Sequence, residues 1–421
     1  MFLRSFKLFA AALLAAVLLV ACGGDSAPAA TGLKVTAGET TVTVSWDMTP
    51  GVEYWLFFAP ASIAPADTTS MHSWIGLPGG GSLVNVSSPY VVPGLVNGTP
   101  YSFSVNGRTN GGPGGPGSTP RQATPGIAGL TWTAGTPTSS NDLRSVAFGA
   151  TYVAAGTGGA MYSSADGATW SAINYATSSN LNGASYFSTY KLVGDGGVVL
   201  TSSDAITWTA QISGTTKNLY AIASNNVNLN VAVGEKGTII ASADGVTWTL
   251  QANPTTQDLY AVTYSPYNQG TNTLGTWVAV GNNGTMVQSV DGGVTWATVN
   301  VGTGVTANLR GIAYGISNTT TGATTFVAVG ASGTSGTVLS SADGVTWTPQ
   351  VLPAGVSTLN AVTYGTQFVA AGSGGNIVIS TDGVTWTAIS PLATSNNLYA
   401  VARGTLAYSA VGAAGTNLLS K

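Results

Sequence analysis

The sequence predicts an all-β chain: a small β-sandwich followed by a seven-bladed β-propeller with four strands per blade. Three observations predict it. The stretch Ser341-Ala342-Asp343-Gly344-Val345-Thr346-Trp347 recurs, giving six copies in register. A leucine opens each repeat at 143, 181, 219, 259, 309, 359 and 398, one more than the number of complete motifs. Charged residues are only 6% of 421, far below the ~25% of an ordinary domain. Hydrophobic content of 44% nevertheless excludes a disordered chain.

The repeated stretch sits between two short strand-like runs and reads as a hairpin turn. Its aspartates are Asp166, Asp204, Asp244, Asp291, Asp343 and Asp382. A carboxylate there can accept backbone N–H groups of its own turn. Glycine supplies the positive φ and is replaced once, by Ala205. Tryptophan then starts the next strand and buries a large apolar face. The tryptophans are spaced roughly 40 to 50 residues apart, the period of a propeller, solenoid or array. The motif resembles the Asp-box, or BNR, repeat of sialidases and of photosystem II assembly-factor-like propellers. The resemblance implies a structural hairpin remote from any active site, so these aspartates are expected to be structural.

At the amino terminus, Arg4 and Lys7 precede an unbroken apolar run from Leu8 to Val20. That run is shorter than the ~20 residues needed to cross a bilayer, and reads as a signal peptide over residues 1–21. Leu19-Val20-Ala21-Cys22 resembles the lipobox of bacterial lipoproteins. The resemblance implies cleavage before Cys22, lipidation of Cys22 and a membrane anchor. Gly23 at the following position, rather than Asp, implies the outer membrane of a Gram-negative bacterium. Residues 22–31 are small and polar, a tether.

From Leu33 the pattern changes to short strands. Thr41-Val42-Thr43-Val44-Ser45-Trp46 alternates, and Tyr54-Trp55-Leu56-Phe57-Phe58 is aromatic and strand-like. Trp46 and the run Gly94-Leu95 … Thr99-Pro100-Tyr101, which looks like a tyrosine corner, make residues 32–124 resemble a fibronectin type III domain. That resemblance implies a spacer or auxiliary module. Asn110 to Gly117 is expected to be a flexible loop. Pro60 to Gly81 departs from the compact pattern and holds the only histidine, His72, beside Trp74. A functional site is one reading of this segment, and a solvated loop histidine is the expected one.

Residues 126–421 carry the repeats. The seventh repeat ends where its motif would begin, and Leu130-Thr131-Trp132-Thr133 supplies an unaccompanied Thr-Trp-Thr before the first. The expectation is closure by three C-terminal strands plus one from residues 129–135, leaving no long free edge.

The residues just after the seven leucines are Arg144, Asn182, Tyr220, Tyr260, Arg310, Asn360 and Tyr399. Strand geometry places them at equivalent points near a channel mouth. Arg forks and Tyr faces suit a sugar or a carboxylate. Packing between blades is the competing reading of the tyrosines. Sialidase chemistry is not expected: the propeller has only Arg144, Arg310 and Arg403, its one glutamate is Glu235, and the Arg-Ile-Pro signature is absent. Other glycoside hydrolysis needs two facing carboxylates. Asp142, Asp195, Glu235 and Asp258 are the candidates, with Asp195 and Glu235 the best pair.

One cysteine and one histidine argue against a Cys/His metal site. A net charge of −3 without a basic patch argues against nucleic acid. No cofactor is expected. The expectation is a monomeric, non-catalytic, lipid-anchored binding or scaffolding protein for polysaccharide or an envelope protein. A polysaccharide-acting hydrolase using Asp195 and Glu235 is the alternative.

Overall fold

The computed structural model describes residues 26–136, 139–225, 227–266, 274–302, 305–405 and 407–420. The signal-peptide and Cys22 expectations lie outside these residues. Two compact units meet at Ile127 and Ala128.

The first unit packs a three-stranded sheet (Lys34–Gly38, Thr41–Ser45, Tyr90–Val92) on a four-stranded one (Gly81–Leu83, Val52–Pro60, Tyr101–Thr109, Arg121–Ala123). The alternation at 41–46 turns Val42, Val44 and Trp46 inward, where they meet Tyr54, Leu56, Phe103 and Val105. The Tyr101 hydroxyl accepts the Val96 N–H at 3.3 Å and pins the chain before its strand. Strand Val52–Pro60 is buried on both faces. Tyr54 and Leu56 enter the shared core, while Phe57 and Ala59 point away and pack with Met71 and Trp74.

That second contact explains Pro60 to Gly81. The segment folds back over the outer face of the sheet through one 3₁₀ turn, Met71–Trp74. The expectation of a solvated loop histidine agrees with the structure, although the segment around it is anchored. His72 is exposed, but Trp74 is fully buried. Burying a large aromatic is favourable by ~1.5–3 kcal/mol, enough to hold the insertion down.

The second unit contains seven four-stranded antiparallel sheets. The first is Leu143–Phe148, Tyr152–Gly156, Met161–Ser164 and Ser171–Ala172. Each inner strand packs beside that of the next sheet, and Leu398–Arg403 of the seventh packs beside Leu143–Phe148 of the first. Second strands read as continuous apolar runs because both of their faces are covered. In Asn230–Gly234, Val231 and Val233 pack against Trp277 and Ala279 of the following sheet, whereas Ala232 packs against Val193 and Val199 of the preceding one. The strand's last residue, Gly234, must be glycine, because a Cβ there would lie 2.0 Å from the Asn218 carbonyl oxygen.

The seventh sheet draws Leu398–Arg403, Tyr408–Gly412 and Asn417–Ser420 from the C-terminus and Thr133–Ala134 from before the first sheet. Leu419 pairs with Thr133 and Leu418 with Ala134. Trp132 packs on Tyr408, ring centroids 6.5 Å apart, and its indole donates to the Gly129 carbonyl at 2.8 Å.

In the repeated turn, Asp244 Oδ1 accepts the N–H groups of Val246 and Thr247 at 2.8 and 2.7 Å. The serine has a role the sequence did not reveal. Ser242 Oγ donates to Asp244 at 2.9 Å and accepts the Gly245 N–H at 2.8 Å. The other copies repeat this geometry; in the fourth, with its added residue, Asp291 Oδ2 also takes the Thr295 hydroxyl. Gly245 has φ +74°, and Ala205 holds the same left-handed conformation at +63°.

Candidate functional site

The inner strands begin in the same way. Leu219 pairs with Gly234 and Ala221 with Val233, so Tyr220 is the extra residue of a β-bulge. The shift recurs in every sheet, at Arg144, Asn182, Tyr260, Arg310, Asn360 and Tyr399. A bulge re-aims the side chain of its unpaired residue. These seven side chains, with Asp142, Asn282 and Asn308, line one cavity of about 420 Å³. All seven residues singled out from the sequence are thus brought together. The bulge that directs them was not foreseen, nor were Asn282 and Asn308 as lining residues.

The lining is ordered by hydrogen bonds. Asn182 Nδ2 donates to Asp195 Oδ1 at 2.8 Å and to the Leu219 carbonyl at 3.0 Å. This turns Asn182 Oδ1 toward Arg144, whose Nη1 donates to it at 2.8 Å. Asn360 Nδ2 donates to the Leu398 carbonyl at 2.8 Å. Tyr220 and Tyr260 form a wall with ring centroids 5.3 Å apart. Burial, helped by the carboxylate of Asp258, holds the Tyr220 phenol above its usual pKa and keeps it a neutral donor. Arg310 is exposed and has no hydrogen-bond or ion-pair partner among the described residues.

In six of the seven repeats the residue before the opening leucine is a latch between neighbouring sheets. Asn180, Asn218, Asp258, Asn308 and Asn397 accept the N–H groups of Gly158, Gly196, Lys236, Asn283 and Gly374 at 2.8 to 3.1 Å. Asp142 accepts from Ala414 in the same way. Asp142 and Asp258, considered as catalytic carboxylates, are occupied here.

Asp195 and Glu235 lie in matching 3₁₀ turns, Asp195–Gly197 and Glu235–Gly237, and neither lines the cavity. The two oxygens of Asp195 accept from Asn180 and Asn182. Glu235 faces Lys217 at 3.7 Å and accepts the Asn218 N–H at 3.3 Å. Both carboxylates serve the framework around the cavity. Among the described residues no cluster of three His, Cys, Asp or Glu could hold a metal ion.

No family model matches the chain, and no curated protein matches it. Among solved structures it is similar to YCF48 bound to a D1 peptide, with 17% identity and a TM-score of 0.54, over 71% of this chain and 99% of that one. It is also similar to YCF48 from Cyanidioschyzon merolae, with 17% identity and a TM-score of 0.52, over 70% of this chain and 99% of that one. At this identity the likeness shows the fold: a β-propeller.

Proposed function

We propose that the chain is a non-catalytic binding protein whose propeller holds a segment of another protein at the central cavity. The observation that carries this reading is the set of seven bulges that aim seven polar or aromatic side chains into one space. Arg310 offers an unused guanidinium fork for a carboxylate. Tyr220 and Tyr260 offer a flat apolar wall with hydroxyls for peptide carbonyls. A YCF48 propeller of low identity has been solved with a D1 peptide bound, which favours a protein segment over a polysaccharide. The engagement of Asp195 and Glu235 by framework groups argues against hydrolysis.

In this reading the seven sheets are blades of a closed ring, with the strand Thr133–Ala134 completing the last. The first unit is a fibronectin type III spacer. Cys22 carries the lipid that holds the protein at the outer membrane, where envelope proteins are its partners. Replacing Cys22 by Ala then moves the protein out of the membrane fraction, whereas normal partitioning of that variant contradicts the anchor. The binding reading is tested by panning a random peptide library on the full chain, in parallel with a glycan array. Enriched peptides that lose affinity on Arg310→Ala support it. Glycan binding without peptide enrichment overturns it.

A further inference from the structure

We infer that the first unit carries a second binding site, for a carboxylate borne on an aromatic or branched aliphatic group. The insertion 60–81 that covers the outer face of the sheet leaves a cavity of about 230 Å³ at its margin. Phe57, Met71 and Ile75 supply an apolar floor, and Trp55 and Arg108 stand at its side. The Arg108 guanidinium lies 4.4 Å over the Trp55 ring, a stacking that fixes its plane. Arg108 Nε donates to Glu53 at 3.0 Å, so the ion pair occupies one edge of the fork and leaves the Nη groups for a ligand.

The rest of the rim is rich in donors. Thr69, Ser70 and His72 line it, and the Ser70 oxygen is already used as acceptor for the His72 N–H. The indole N–H of Trp55 is buried without a partner among the described residues. Buried donors are normally paired. Apolar floor and donor-rich rim together select a ligand that is apolar at one end and oxygen-rich at the other.

Gly112, Pro113 and Gly114 of the glycine loop also line the cavity, and the loop is tied down beside them. Gly115 N–H bonds to Gly107 at 2.9 Å and Gly117 N–H to Thr68 at 2.7 Å. Asn106 Nδ2 donates to the Gly115 carbonyl at 3.0 Å. A Cβ at Gly114 would lie 2.7 Å from the Asn106 amide nitrogen. At Gly115 a Cβ would lie 1.8 Å from the Ala27 carbonyl oxygen, so glycine is required there for close approach.

The test is titration of the full chain with N-acetylphenylalanine, followed by tryptophan fluorescence. The acid binds and its neutral amide binds at least about tenfold more weakly, the loss expected when a charged hydrogen bond is removed. Arg108→Gln loses binding to a similar extent, and Arg108→Lys, which keeps the charge and the fold, loses the bidentate part. Arg310→Ala leaves it unchanged, which separates this site from the central cavity. Phenylacetate against acetyl-Gly-Gly-Phe distinguishes a free acid from a chain terminus. Equal binding of acid and amide, no binding of the acid, or full binding by both Arg108 variants overturns the site.

Discussion

The carboxylate of Asp142 accepts the backbone N–H of Ala414 at 3.0 Å, tying the first sheet of the second unit to the last across 272 residues. The bond repeats the Asn and Asp latches between the other sheets. Removing the acceptor leaves an N–H without its partner, at a cost of about 1 kcal/mol. Asp142→Ala should therefore lower stability in urea by about that amount, and Asp142→Asn, which keeps an oxygen in place, by less. Equal stability of the Ala variant and the parent would show that the latch carries no free energy.

Trp132 is expected to matter as much as any tryptophan of the repeated turns. It is 9% exposed against 7% for Trp347. Truncating a buried Trp costs ~3–5 kcal/mol, so Trp132→Ala and Trp347→Ala should shift the denaturation midpoint alike. A chain beginning at Thr136 should melt lower and aggregate, because the strand Asn417–Ser420 loses its outer neighbour. Equal melting of chains beginning at 125 and 136, both monomeric, contradicts this.

Acid should loosen the repeated turns in a defined window. Backbone N–H groups of Thr207 and Ile206 hold the Asp204 carboxyl at about 2, and those of Thr247 and Val246 do the same for Asp244. An unfolded Asp titrates near ~3.9. A depressed folded pKa gives stability that is present above the unfolded value and lost as pH falls toward the folded one. The melting temperature should therefore drop between about pH 4 and 2. Asp244→Asn, which keeps an uncharged acceptor, should flatten part of that drop. A variant curve parallel to the parent's through the window contradicts the assignment.

Lys191 is 3% exposed and sits where Val153, Val231, Val278, Val327 and Val369 stand in five of the other repeats and Ser409 in the seventh. Its Nζ reaches only neutral oxygens, of Phe187 and Thr189. Burial pushes its pKa down. The folded state is thus penalised in full below the lysine's lowered folded pKa, and the penalty fades as pH rises from there to the unfolded ~10.4. Lys191→Val should stabilise the protein by about 1 kcal/mol at pH 7, less the lost hydrogen bonds, and the gain should shrink as pH rises toward ~10.4. Destabilisation at pH 7 would assign the ammonium a net favourable role.

Much of the architecture was legible because the repeat is regular. The opening leucines lie at inner-strand starts, and each Ser-x-Asp turn lies between a third and a fourth strand. The residue after each leucine identified the cavity lining without any sign of the bulge, because a bulge is a relation between two strands and leaves no mark on one. The latch role of Asn218 and Asp258 was hidden for the same reason: their acceptors serve the neighbouring sheet. The anchoring of the insertion at 60–81 was not legible because its anchor, Trp74, packs on the outward face of a strand whose inward face already fills a core. The loop 110–117 read as flexible because glycine marks both freedom and close approach, and only the contacts with Asn106 and Met71 decide between them.

The most direct test of the central cavity is the affinity of a panned peptide for the full chain and for Arg310→Ala, measured by calorimetry beside the melting temperature of each. Arg310 is exposed and unpartnered among the described residues, so its loss should leave the melting temperature unchanged and weaken the peptide by roughly tenfold or more, the value of a charged hydrogen bond. Unchanged affinity, with or without a change in melting temperature, would contradict the assignment of the cavity as the site of binding.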